Sequence, residues 1–161
     1  MDFVKKLDKK VLLQLLKNPD RPVVNIAEEV GATRQTVSKK LKKFKEEGLI
    51  SDSVDVLDPE SVGLSVRAFV FLQEDPEDEI REKDEEVINN YPQVSKFFRL
   101  FGRYSGLLEV WTESRDELTE FVKNIHNLNG IKETETFIVH SKVKDEMEEP
   151  FINILKENID S

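Results

Sequence analysis

The sequence predicts an α+β chain: an N-terminal helix-turn-helix domain of the winged-helix type, followed by a ferredoxin-like βαββαβ sandwich. Three observations carry that expectation. The first fifty residues have helical periodicity interrupted by a glycine-containing tight turn. Later residues alternate strand and helix patterns in the order β-α-β-β-α-β. Charge divides along the same line. Residues 1–50 hold 12 Lys+Arg against 7 Asp+Glu, a net +5, whereas residues 51–161 carry −14, which together give the −9 of the chain. A basic segment ahead of an acidic remainder suits one module that meets a polyanion and one that does not.

Taken in order, residues 4–17 place Leu7, Val11, Leu12, Leu15 and Leu16 on one side of a helix. Asn18-Pro19-Asp20-Arg21-Pro22 breaks it. Asn25 is positioned to cap a short helix, Ile26 to Val30, and Gly31-Ala32 makes the turn. Thr33 then caps a helix running toward Gly48, with Val37, Leu41 and Phe44 as its apolar stripe. Arg34, Lys39, Lys40, Lys42, Lys43 and Lys45 gather on the other positions, with Gln35, Thr36 and Ser38 at the front. In a helix-turn-helix the second helix enters the major groove. Thr33, Arg34, Gln35, Thr36, Ser38 and Lys39 are therefore expected to meet bases and nearby phosphates, and Lys42 and Lys43 to meet phosphates. A lysine-rich helix is more commonly plain solvated surface. Turn, cap and charge together favour contact.

Residues 50–57 have the β-branched content of a short strand, a wing or linker, before Asp58-Pro59-Glu60 turns the chain. Strands are expected at Ser65–Leu72, Val94–Gly102, Leu107–Thr112 and Thr134–Val143. Helices are expected at Glu77–Asn90 and Arg115–His126, and Arg103 to Gly106 forms a hairpin loop between the second and third strands. In the tail, Pro150 suits the first turn of a helix with Phe151, Ile154 and Leu155 on one face. The resulting division is 1–50 for DNA binding, 51–64 as strand and linker, 65–144 as the sandwich, and 145–161 as a helical tail.

Composition excludes several classes. There is no cysteine, so no disulfide framework, thiolate metal site or cysteine nucleophile. Only His126 and His140 are present, which disfavours a histidine-rich metal centre and a Ser-His-Asp hydrolase. Both are expected to be structural, and His140 to lie in the last strand. No metal and no cofactor is called for, and the acidic run Glu77–Glu86 is expected to be solvated surface. No apolar run reaches membrane-spanning length and the start lacks a secretory signal, so a reducing, cytoplasmic setting is expected. Phe97, Phe98, Leu100 and Phe101 exceed what one covered sheet face would bury, which argues for a dimer interface. Tyr104 and Trp111 are expected in core or interface.

Several stretches resemble the Lrp/AsnC (feast/famine) regulators of archaea and bacteria. Ile26-Ala27-Glu28-Glu29-Val30-Gly31-Ala32-Thr33 is similar to the family's L-A-E-x-V-G-L-S, and Thr36-Val37-Ser38-Lys39-Lys40-Leu41-Lys42 to T-V-S-R-R-L-K/R. Glu46-Glu47-Gly48-Leu49-Ile50, Leu57-Asp58-Pro59-Glu60-Ser61-Val62-Gly63, and Asn129-Gly130-Ile131 followed by Thr134-Glu135-Thr136-Phe137-Ile138-Val139 continue the likeness in order. The resemblance implies a DNA-binding transcription regulator, archaeal in type. It would be a homodimer through its sheet domain, often an octamer, and not an enzyme. It also implies a small-molecule effector, usually an amino acid, at Gly102, Arg103, Tyr104, Ser105 and Gly106, joined by Thr134 and Thr136.

At that hairpin the family shows G-x-Y/F-D-x-L-L, and Ser105 stands where the aspartate is expected. An ammonium would lose its charge-assisted partner, while Arg103 would favour an anion. A non-standard effector, or none, is the expectation. Two rival functions rank below DNA-specific regulation. One is a tetrapyrrole (sirohaem) decarboxylase recruiting Arg99, Arg103 and His140. The other is an architectural DNA-binding protein without sequence preference.

Overall fold

The computed structural model describes residues 5–50, 57–146 and 148–160, and the side chains among them up to residue 157. The chain forms two compact units, residues 1–55 with 144–161, and residues 56–143. The strand or wing expected at 50–57 falls almost wholly on residues 51–56, outside the described residues.

The first unit contains α1 (Lys6–Lys17), α2 (Val23–Val30), α3 (Arg34–Glu46) and a C-terminal helix, α6 (Glu148–Asp160). Its core is Val11, Leu12, Ile26, Ala27, Val30, Val37 and Phe44, with Leu155 of α6 packed against it. The tail that the sequence set apart therefore belongs with the N-terminal helices. Its apolar side has a partner there, which a linear reading has no means to see.

The short helix starts earlier than expected. It begins at Val23, directly after Pro22, whose φ of −57° is already suited to a helix start. Asn25 lies inside it and caps nothing. Gly31 has φ 68° and ψ 40°, the left-handed conformation that glycine adopts without penalty, and Ala32 N–H donates to Ala27 O at 2.9 Å. Gly48, φ 69°, ends α3 in the same manner. Its N–H bonds Lys45 O and the next, on Leu49, bonds Phe44 O at 2.8 Å, a Schellman ending.

The second unit is the β-α-β-β-α-β sandwich: β1 (Val66–Glu74), α4 (Asp78–Asn89), β2 (Val94–Arg99), β3 (Gly106–Thr112), α5 (Arg115–His126) and β4 (Ile131–Ile138). The sheet order is β2-β3-β1-β4, antiparallel throughout. Ala68, Val70 and Leu72 of β1 and Leu108 and Val110 of β3 pack against Ile88 of α4 and Leu118, Phe121 and Ile125 of α5. The alternate positions form an open face carrying Arg67, Phe69 and Phe71, Leu107 and Trp111, Phe98 and Phe137.

β1 runs two residues past the expected Leu72, to Glu74, and β4 and β2 shift as well. β4 begins at Ile131, directly after Gly130 and opposite Glu74 where β1 ends, and it stops at Ile138 opposite Ala68, with the Val139 N–H still donating to Arg67 O at 2.8 Å. His140 consequently lies beyond the strand and is exposed. β2 ends at Arg99, and Leu100 N–H closes the hairpin on Ser105 O at 2.8 Å, so the loop proper is Phe101–Tyr104.

Candidate nucleic-acid interface

The sequence gives α3 two faces, and the packing keeps them apart. Val37 and Phe44 are buried and Leu41 partly so. Thr33 Oγ1 accepts the Thr36 N–H at 3.2 Å and lies 2.9 Å from the Thr36 hydroxyl, satisfying the helix start. Arg34, Gln35, Ser38 and Lys39 are exposed and, with Thr33, line one open concave surface. Among the described residues these four make no side-chain hydrogen bond or ion pair. An uncommitted arginine, amide, hydroxyl and ammonium, side by side at the front of a helix, are the donors and acceptors that base edges and phosphates need.

Lys42 lies 3.7 Å from Glu46 and Lys43 3.5 Å from Glu47, all four exposed. Such i,i+4 pairs are worth about 0.3–0.5 kcal/mol, so a phosphate can displace the glutamates at little cost. Lys40 departs from the outer-face expectation. It turns in to Asp8 of α1, forming an ion pair with side-chain exposures of 22% and 14%. The cationic surface is accordingly narrower than the count of lysines suggests.

The hairpin residues expected at the effector site separate onto the two sides of the sheet. Tyr104 stacks on Phe71 of the open face at 5.3 Å, and its hydroxyl donates to Glu135, which raises the phenol's pKa. Arg103 lies over the Tyr104 ring at 5.1 Å and 3.6 Å from Glu133. Both partners of that ion pair are exposed. Ser105 and Gly106 face the other way. The Ser105 hydroxyl donates to Glu74 Oε2 at 2.7 Å, and a side chain at Gly106 would meet Phe97, Glu74 and Leu72 at 3.1–3.3 Å. Thr134 is 3.4 Å from His126 Nδ1, and Thr136 pairs with Val70. Exposed Gly102, φ 146°, takes a backbone conformation that needs glycine.

Sequence reasoning missed Glu74, because the first strand was expected to stop at Leu72. The two-residue strand period puts Glu74 on the Leu72 side, and that signal was available.

Residues 67–149 match the Lrp/AsnC ligand binding domain, and residues 5–51 a winged helix-turn-helix DNA-binding domain. This chain belongs to the Lrp/AsnC family. Its Lrp/AsnC relatives are helix-turn-helix transcriptional regulators. Regulator FL11 of Pyrococcus horikoshii is 27% identical over 147 residues, 89% of this chain and 94% of FL11. The transcriptional activator DecR of Escherichia coli is 28% identical over 86% of this chain and 93% of its own. An AsnC-family regulator from Agrobacterium tumefaciens has a TM-score of 0.82 at 25% identity, over 94% of this chain and 99% of that one. A Neisseria meningitidis regulator crystallised with L-Met shares the fold at TM-score 0.84 and 23% identity, over 94% and 99%. Within this Lrp/AsnC frame, α1, α2 and α3 lie in the helix-turn-helix match and the βαββαβ unit in the ligand-binding-domain match. These relatives, named as transcriptional regulators, lend no support to the decarboxylase reading.

Proposed function

We propose that this Lrp/AsnC regulator binds pseudo-palindromic duplex DNA as a homodimer, or as an octamer built from dimers. Arg34, Gln35, Ser38 and Lys39 would face base edges and adjoining phosphates, Lys42 and Lys43 would hold flanking phosphates, and Thr33 and Thr36 would fix the helix start. The observation that carries this is the exposed, uncommitted front of α3. The apolar open sheet face supports dimerisation. Phe98 and Phe137 are about half exposed there, more apolar surface than a solitary sheet usually leaves to water. An effector at the β2–β3 hairpin is supported by the ligand-binding domain match and by the L-Met held by the Neisseria neighbour. Regulation without catalysis fits the relatives' names. Among the described residues no helix is long and apolar enough to cross a membrane. A duplex DNA partner supports the cytoplasmic setting of this reading.

Fluorescence anisotropy against a randomised duplex pool, at low and moderate salt, tests the reading. Enrichment of one two-fold motif supports it. Salt-sensitive binding with no enrichment points instead to an architectural protein.

A further inference from the structure

At the end of the sheet away from the β2–β3 hairpin, β1 begins, β3 ends and β2 begins, with Val66 opposite Thr112 and Val94 opposite Val110. A cavity of about 250 Å³ lies there, with Leu64, Gln93, Trp111, Glu113 and Glu117 in its walls. Trp111 comes from the open side of the sheet and Glu117 from the first turn of α5, so the cavity spans both layers at the sheet's end. Phe98 and Phe137, which argue for the dimer, are not among its walls.

The polar groups around it are mainly acceptors. Glu117 is oriented twice over. Its Oε1 accepts the Gln93 amide N–H at 3.0 Å, and its Oε2 accepts the Glu113 N–H at 2.8 Å. Those bonds, that from Gln93 first, hold its carboxyl below the ordinary glutamate range, so it is ionised at neutral pH. The amide nitrogen of Gln93 is committed to Glu117, which fixes where its carbonyl points, and that Oε1 is buried with no hydrogen-bond partner. A buried acceptor left in this way is costly until a donor reaches it. The exposed Glu113 carboxylate makes no hydrogen bond or ion pair among the described residues.

No Lys, Arg or His is found among the described residues that line the cavity. Arg67 stands over the Trp111 ring at 5.2 Å, but Glu109 meets its charge, accepting the Arg67 Nε–H at 2.8 Å. The cavity thus joins negative charge, acceptors at separate points and an aromatic wall. A bare metal ion is a poor match, since no group of three acidic or histidine side chains gathers to hold one among the described residues. A guanidinium is a better one, because its planar fork spreads N–H donors over separate acceptors and lies against aromatic rings.

We propose that this cavity binds a small alkylguanidinium. Glu113 and Glu117 face its charge, Gln93 Oε1 accepts one of its N–H groups, and Trp111 covers its alkyl chain. The site stands apart from the hairpin and from the front of α3.

Trp111 is the only tryptophan of the chain, so its fluorescence reports this cavity directly. Titration of the full-length protein with butylguanidinium should give a saturable change. Butylurea, of the same shape without the charge, should give none, and butylammonium should bind more weakly. Glu113→Gln alters an exposed side chain with no partner to lose, and it should weaken binding about tenfold, the worth of one charged hydrogen bond. Glu117→Gln should weaken it as well, with circular dichroism checking both folds, and Tyr104→Ala at the hairpin should leave it unchanged. No saturable change, or equal binding of butylurea or butylammonium, overturns the proposal. So does a response that Tyr104→Ala removes and Glu113→Gln spares, which would assign the cation to the hairpin instead.

Discussion

Lys40 of α3 and Asp8 of α1 form a half-buried ion pair, while Lys39, one position earlier, is exposed and uncommitted. Neighbouring lysines of one helix therefore have opposite tasks, one fastening the helix and one free for a partner. Truncating Asp8 leaves an ammonium with little water and no counter-charge. Asp8→Ala should destabilise the protein by about 1–3 kcal/mol, the usual cost of orphaning a charged hydrogen-bonding group. Urea titration followed by circular dichroism measures it. In DNA binding, Lys40→Ala at a temperature where it stays folded should leave the salt slope unchanged.

Phosphate contacts and base contacts are separable by salt. Removing one lysine–phosphate pairing reduces the slope of log K against log salt by about 0.9. Lys42→Ala and Lys43→Ala should each flatten it by up to that amount and weaken binding on every sequence alike. Gln35 is neutral and releases no counterion, so Gln35→Ala should leave the slope intact. Its removal should instead narrow the gap between the selected site and random DNA, by about 1–3 kcal/mol if it pairs a base. Anisotropy titrations at several salt concentrations read both quantities.

The sequence made elements legible where local chemistry decides them. α5 spans Arg115–His126 as its apolar spacing requires, and Ser114 caps it by accepting the Glu117 N–H at 3.2 Å. Thr33 and Gly48 are likewise local signals with local effects. What escaped depends on partners distant in sequence. β4 starts at Ile131, opposite Glu74 where β1 ends. Lys40 is indistinguishable from Lys39 until α1 offers Asp8, 32 positions away. In the hairpin, the Ser105 hydroxyl finds its acceptor in Glu74, which sequence places 31 positions earlier.

Glycines at two turns should respond differently to alanine. At Gly31 no atom lies within 4 Å of the added Cβ, so Gly31→Ala bears only the left-handed backbone penalty, about 1–2 kcal/mol. At Gly130 the Cβ would stand 2.7 Å from Asp84 Oδ2 and 2.8 Å from Ile80 Cγ2. The Gly130 N–H also donates to that Asp84 oxygen at 2.7 Å, deep in the interface of α4 with the turn before β4. Gly130→Ala must push α4 away or break this bond. Its loss should exceed that of Gly31→Ala by about 1–3 kcal/mol, in keeping with overpacking. Thermal melts of the two variants, run side by side, rank them.

Glu109 gives the open sheet face a dependence on pH. It lies 4% exposed among aromatic neighbours, held by Arg67, whose guanidinium is 5.2 Å from the Trp111 ring centre, and by Lys96 at 2.9 Å. Burial alone would raise its pKa, but hydrogen bonds and charge from Lys96 and Arg67 outweigh that and hold it below 4.5. A carboxyl depressed on folding stabilises the folded state fully above its unfolded pKa. That contribution fades as pH falls through 4.5 and onward past the lower folded value. In Glu109→Gln the contribution is missing, and Arg67 and Lys96 lose their charged acceptor. The variant should be less stable than wild type at pH 7, and the gap should close as pH falls below about 4. Urea midpoints measured from pH 7 to pH 3 give both curves. A gap that stays constant over that range would remove Glu109 as the titrating group, whereas a closing gap ties the acid sensitivity of this sheet face to one carboxylate.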